Sequence, residues 1–163
     1  MSLNALAAPS AEVILQGILT NTSCSVTING GKSVLNVPVL KASIADAAEG
    51  FSGVNTISQK TVPMPVTLTG CTTAEEGDLI IQGITSVDNN EQNIFVATDS
   101  QTVGFIIQDK NNEDIINGKG VQVTVDEDKK AGQYVFNVGM ATTTPTPAAG
   151  SYSAPILVSY IVN

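Results

Sequence analysis

The sequence predicts an all-β domain, a sandwich or a barrel, and three observations carry that prediction. Apolar and polar residues alternate with period two in roughly eight short segments separated by turn-forming residues. Only Lys41 to Gly53 (KASIADAAEGFSG) offers a helical or irregular stretch, and it is short. Two cysteines, Cys24 and Cys71, each lie in or at the end of strand-like sequence: Gly17-ILTNTSCSVTI for the first, Val62-PMPVTLTGC for the second.

Taken in order, Glu12 to Asn29 reads as one long strand or two joined at Gly17, closed by an Asn29-Gly30-Gly31 turn. Val34 to Leu40 is a short strand interrupted by Pro38, which places it at an edge or a crossing because proline has no N–H for a ladder. Thr61 to Thr69 follows, with Pro63 and Pro65 near its start and Gly70-Cys71 at its end. Asp78 to Val87 is next, then a polar loop at Asp88 to Gln92, then Asn93 to Ala97 and Val103 to Asp109. Lys110 to Gly120, rich in Asn, Asp and Gly, is a hairpin-like connection. Val121 to Val125 and Gln133 to Ala141 alternate cleanly, and Tyr152 to Val162 closes the series. No internal repeat occurs, and Thr142 to Pro147 (TTTPTP) is a brief loop.

A chain of 163 residues fits one domain with a proper core. Charged residues make up 13%, about half the usual share, with abundant Thr, Ser, Asn, Val and Ile, a composition suited to an extracellular β surface. The net charge of −8, with seven lysines and no arginine, excludes a nucleic-acid partner, which needs clustered cations and arginine forks. No apolar run approaches the ~20 residues that cross a bilayer, so no membrane insertion is expected. Met1-Ser2-Leu3 reads as residues left by an expression vector and takes no part in fold reasoning.

The same composition removes most chemistry. Without histidine there is no Ser-His-Asp or Cys-His arrangement, and zinc would have at most two cysteines to use. A carboxylate pair for glycoside hydrolysis lacks the aromatic platform that sugars stack on, since aromatics are 4% and tryptophan is absent. Neither a catalytic centre, a metal site nor a cofactor is expected. The acidic runs Asp109, Asn111, Asn112, Glu113, Asp114 and Asp126, Glu127, Asp128 lack EF-hand spacing and are interleaved with Lys110, Lys129 and Lys130; they read as solvated turns rather than calcium loops.

Cys24 and Cys71 point to one disulfide between two strands, with two buried free thiols as the alternative. The loop such a bond closes is long, and chain entropy alone gives roughly 4 kcal/mol. It persists only in an oxidising compartment. The last strand, Ala154 to Val162, is apolar on both faces: Ile156, Val158, Tyr160 and Val162 on one, Leu157 and Ile161 on the other. Such a run is buried on both sides or lies beside an unfilled cleft. Leu6 to Leu15, by contrast, has small or polar residues between spaced apolar ones and no evident partner in its own fold.

Together these segments resemble a chaperone–usher fimbrial subunit of the type 1 kind. Glu12-VILQGILTNTSCSV is similar to that family's alternating stretch, glycine and N-x-x-C; Phe51-Ser52-Gly53 is like its F-x-G. Val62-PMPVTLTGC is similar to its second cysteine strand, and Gly150-Ser151-Tyr152-Ser153-Ala154 leads into a terminal strand carrying Tyr160. The likeness covers nearly the whole chain from Asn4. It implies an incomplete immunoglobulin-like sandwich, a pilin fold lacking its final strand, with residues 4–17 as an N-terminal donor-strand extension and 18–163 as the pilin domain. It also implies export through the periplasm to the cell surface, with a periplasmic chaperone, an outer-membrane usher and neighbouring subunits as partners, in a homo- or hetero-polymer supporting adhesion. Leu6, Ala8, Ala11, Val13 and Leu15 become the donor-strand plugs, and Ile156, Val158, Tyr160 and Val162 the groove-edge strand that a chaperone would bind. A host-receptor or carbohydrate-binding tip domain of the same pilus is the alternative, and a sandwich complete by itself a third reading.

Overall fold

The computed structural model describes Leu15, residues 17–128 and residues 130–162. Eight strands succeed one another: β1 (Ser25–Ile28), β2 (Thr61–Thr69), β3 (Glu76–Thr85), β4 (Phe95–Val96), β5 (Val103–Gln108), β6 (Gly120–Thr124), β7 (Gly132–Thr142) and β8 (Ile156–Val162). They pair in the order β1-β2-β7-β5-β4-β3-β6, with β8 on β3, and every ladder between them is antiparallel. The chain is all-β, as expected.

β3 links two layers. Its residues 76–80 pair with β6 and 77–83 with β8, while Ile84 and Thr85 pair with Val96 and Phe95 of β4. One layer is therefore β6-β3-β8, and the other runs from β4 through β5, β7 and β2 to β1. Period two then dictates the core. Met64, Val66 and Leu68 of β2, Leu79 and Ile81 of β3, Tyr134, Phe136 and Val138 of β7 and Val158 and Tyr160 of β8 all turn inward and are buried. Pro63 and Pro65 are tolerated because β1 reaches β2 only between Val66 and Thr69, leaving that edge without a partner at the prolines. Asn89 Nδ2 donates to Asn93 Oδ1 (2.6 Å), Asn93 Nδ2 to Asp114 Oδ2 (2.8 Å) and Gln108 Nε2 to Asp114 Oδ1 (2.9 Å), tying two connections across the β5 end of the sandwich.

Two expected strands differ. The long strand over Glu12 to Asn29 is reduced to Ser25–Ile28, with residues 17–24 outside any ladder and the start of the segment outside the described residues. Val34 to Leu40 forms no ladder, although Leu35 and Val37 pack on the core while Val34 and Val39 are exposed. Both segments have strand sequence, but a strand also needs a neighbouring backbone to bond with. Lys41 to Gly53 is irregular, its turns closed by Gly50 N donating to Asp46 O and Phe51 N to Ser43 O.

Gly77 marks the tightest point of the β3–β8 contact, where a Cβ would collide with the Ile161 carbonyl oxygen and sit 2.8 Å from the Tyr160 ring. Gly77→Ala is expected to cost about 1–3 kcal/mol in urea unfolding, whereas Gly17→Ala, which meets nothing within 4 Å, should leave the midpoint unmoved.

Candidate functional site

The site is built on β8. Ile156, Val158, Tyr160 and Val162 face the core, with Val158 and Tyr160 fully buried, while Leu157 on the opposite face is 61% exposed. Of the two readings of this strand, the structure takes the second: it is buried on one face only. β8 pairs with β3 and with no other strand among the described residues. β1 comes close to it without sharing a ladder.

Beside β8 the two layers part into a cleft of about 1240 Å³. Its walls are residues 32–42 on one side and 148–156 on the other. Its floor is the sandwich interior itself, including Met64, Phe105, Ile107, Val138 and Met140. A complete sandwich covers such side chains with a strand of its own. Here the strand-like but unpaired segment 34–40 and Ile156, at the start of β8, line the opening.

The other end of β8 is closed by covalent and polar contacts. Cys24 and Cys71 are joined, with Cα atoms 4.2 Å apart, so the disulfide expected from the sequence is present. Thr22 Oγ1 donates to Glu75 Oε1 at 2.6 Å, and that oxygen lies 3.1 Å from Cys24 Sγ. Glu75 immediately precedes β3, whose Gly77 pairs with Val162. Cys24, Cys71 and Glu75 lie at metal-ligand spacing, but the two sulfurs are bonded to each other, leaving a single carboxylate. Tyr160 packs here with its hydroxyl buried and outside hydrogen-bond geometry with any group among the described residues. Burial first, together with repulsion from the nearby carboxylates of Glu75 and Asp78, pushes its pKa up to about 12. Thr22 and Glu75 carry no signal in the sequence; only the fold brings them to the disulfide.

Leu15 is almost fully exposed, and the other expected plugs, Leu6, Ala8, Ala11 and Val13, lie outside the described residues. The acidic runs behave as turns. Asp109 Oδ1 accepts from the backbone N–H of Asn111 and Glu113, and Asp126 Oδ1 from that of Asp128.

This architecture, an open immunoglobulin-like sandwich with one disulfide and an uncovered seam beside its last strand, is the pilin fold of chaperone–usher pilus subunits. The rod subunit PapA of the P pilus is similar over 86% of this chain and 99% of its own, with 12% identity and a TM-score of 0.65. A subunit of a chaperone–usher pilus rod aligns over 97% and 98% with 13% identity and a TM-score of 0.63. An antigen and type I fimbria protein of Burkholderia pseudomallei aligns over 86% and 99% with 17% identity and a TM-score of 0.58. No family model matches the sequence, and no curated protein matches it.

Two outcomes are expected at the closed end. Cys71→Ser should lower the unfolding free energy by about 4 kcal/mol, the loop-closure entropy of the bond, as read from urea midpoints against the oxidised parent. The Tyr160 proton is held more tightly in the folded chain than in the unfolded one. Its contribution is therefore complete below about pH 10, the ordinary tyrosine value, and is lost as pH rises toward 12. Between pH 10 and 11 the parent should lose about 1 kcal/mol more than Tyr160→Phe, and at pH 8 the variant should be at least as stable, since it removes an unpaired buried hydroxyl.

Proposed function

We propose that this protein is a structural subunit of a bacterial surface fimbria that polymerises by donor-strand exchange. The observation that carries the reading is the apolar cleft at the start of a last strand that pairs along one edge only among the described residues. Such an edge offers backbone N–H and C=O groups to an added strand, and the cleft offers space for that strand's alternate side chains. In this reading residues 4–17 form the extension that one subunit inserts into the next, and 18–163 form the domain that receives it. Leu6, Ala8, Ala11, Val13 and Leu15 supply the plugs.

Before assembly a periplasmic chaperone covers the same edge along Ile156, Val158, Tyr160 and Val162, and an outer-membrane usher exports the subunit to the surface, where the polymer supports adhesion. The disulfide fits the oxidising route. The role is mechanical rather than enzymatic: a sequence without histidine and a site of apolar side chains suit holding a strand.

A synthetic peptide of residues 4–17 added to the purified protein should raise its melting temperature in a concentration-dependent way, because it binds the folded chain alone. An Ala11→Leu peptide should raise it further, since each added methylene buried contributes about 0.8 kcal/mol. An unchanged melting temperature with both peptides would show a sandwich that needs no added strand.

A further inference from the structure

Charge is distributed unevenly over the two surfaces that this exchange would bring together. The chain carries fifteen acidic side chains and seven lysines. The cleft is lined by two lysines, Lys32 and Lys41, and by no acidic residue. Residues 4–17 contain a single ionisable side chain, Glu12. An acidic protein thus presents a cationic rim at its opening, and the segment proposed to enter carries one anion.

The two lysines differ. Lys41 already has a counter-ion in Asp46, with Nζ 3.8 Å from Oδ2. Lys32 has no ion pair among the described residues and is exposed. Its backbone is nevertheless held: its N–H donates to Asn29 O at 3.1 Å, and Asn29 Nδ2 donates to Lys32 O at 3.2 Å and Val34 O at 2.8 Å. A backbone anchored this way defines the point on the wall from which the Lys32 side chain projects.

We infer that Glu12 of an incoming extension pairs with Lys32 of the receiving subunit and thereby fixes the register of the added strand; the inference rests on the donor-strand reading. Apolar matching alone fixes register poorly here. A slip of two residues keeps the same face of a strand toward the cleft, and it only exchanges neighbouring apolar plugs such as Val13 and Leu15, which differ by one methylene. With Ala11 and Val13 turned to the cleft, alternation turns Glu12 to the rim. A two-residue slip then moves its carboxylate by about 6.6 Å, well past the roughly 4 Å span of an ion pair, so the pair survives only if the whole lysine stem reorients at an entropic cost.

The test uses the full chain and synthetic 4–17 peptides, native and Glu12→Lys, with dissociation rates measured at low and high salt. The Glu12→Lys peptide should leave the parent roughly five-fold faster at low salt, the scale of an exposed ion pair, and the difference should vanish near 1 M salt. Lys32→Glu, an exposed substitution that the fold tolerates, should reverse the preference, and Lys41→Glu should not. Equal rates for the two peptides on the parent, or a reversal produced by Lys41→Glu instead, would overturn the pairing while leaving donor-strand binding intact. If neither peptide bound, the donor-strand reading would fall, and the pairing with it.

Discussion

The ladder between β3 and β8 is the interaction on which the rest of the structure depends. β3 is hydrogen-bonded to β6 and β8 over most of its length and to β4 at its end, so it joins both layers of the sandwich. β8 depends on it completely. The seven paired positions from Gly77 to Gly83 are the whole of β8's ladder among the described residues, and Ile156 at its start lines the cleft. A strand supported on one edge holds its inward side chains in place, yet among the described residues its other edge has no ladder for its backbone donors and acceptors. The geometry of the opening follows from that asymmetry.

The opening has a closed end and an open one, and different forces set them. Near Val162 the Cys24–Cys71 bond ties the paired ends of β1 and β2, and the Thr22–Glu75 hydrogen bond reaches from there to the start of β3, beside the buried Tyr160 ring. Near Ile156 the walls are the unpaired segment 32–42 and the loop at 148–155, which share the lining with core side chains from β2, β5 and β7. An added strand would therefore find a firm base and adaptable walls. The exposed Val34 and Val39 alternate poorly with their surroundings as coil, but they have the sequence of a strand awaiting a neighbour on which to form a ladder.

Much of this was legible in the sequence because period two and a buried face are local signals. Thr61 to Thr69, Val103 to Asp109, Val121 to Val125 and Gln133 to Ala141 all became strands within a residue or two of their expected bounds. So did the disulfide and the inward row of β8. Residues 17–24 and Val34 to Leu40 read equally well and yet form no ladder, since alternation reports a residue's affinity for a sheet but not whether a neighbouring backbone is at hand. Glu75 was not legible at all. Its place beside the disulfide and Tyr160 depends on how β2 turns into β3, a long-range consequence without local pattern.

The two outer edges of the β6-β3-β8 layer show what kind of opening this is. β6 is five residues long, alternates with Gln122 and Thr124, and is preceded by Lys119 and followed by Asp126. Short length and nearby charge are the devices by which sheet edges avoid joining other chains. β8 has neither device: seven residues, no charge from Ala154 to Val162, and exposed Leu157 on its outer face. Left bare, such an edge is an aggregation hazard. A protein that guards β6 and leaves β8 unguarded gains nothing from the exposure unless another backbone regularly occupies that edge. The contrast between the two edges, within one layer and one solvent, thus argues for an added strand independently of the cleft's volume.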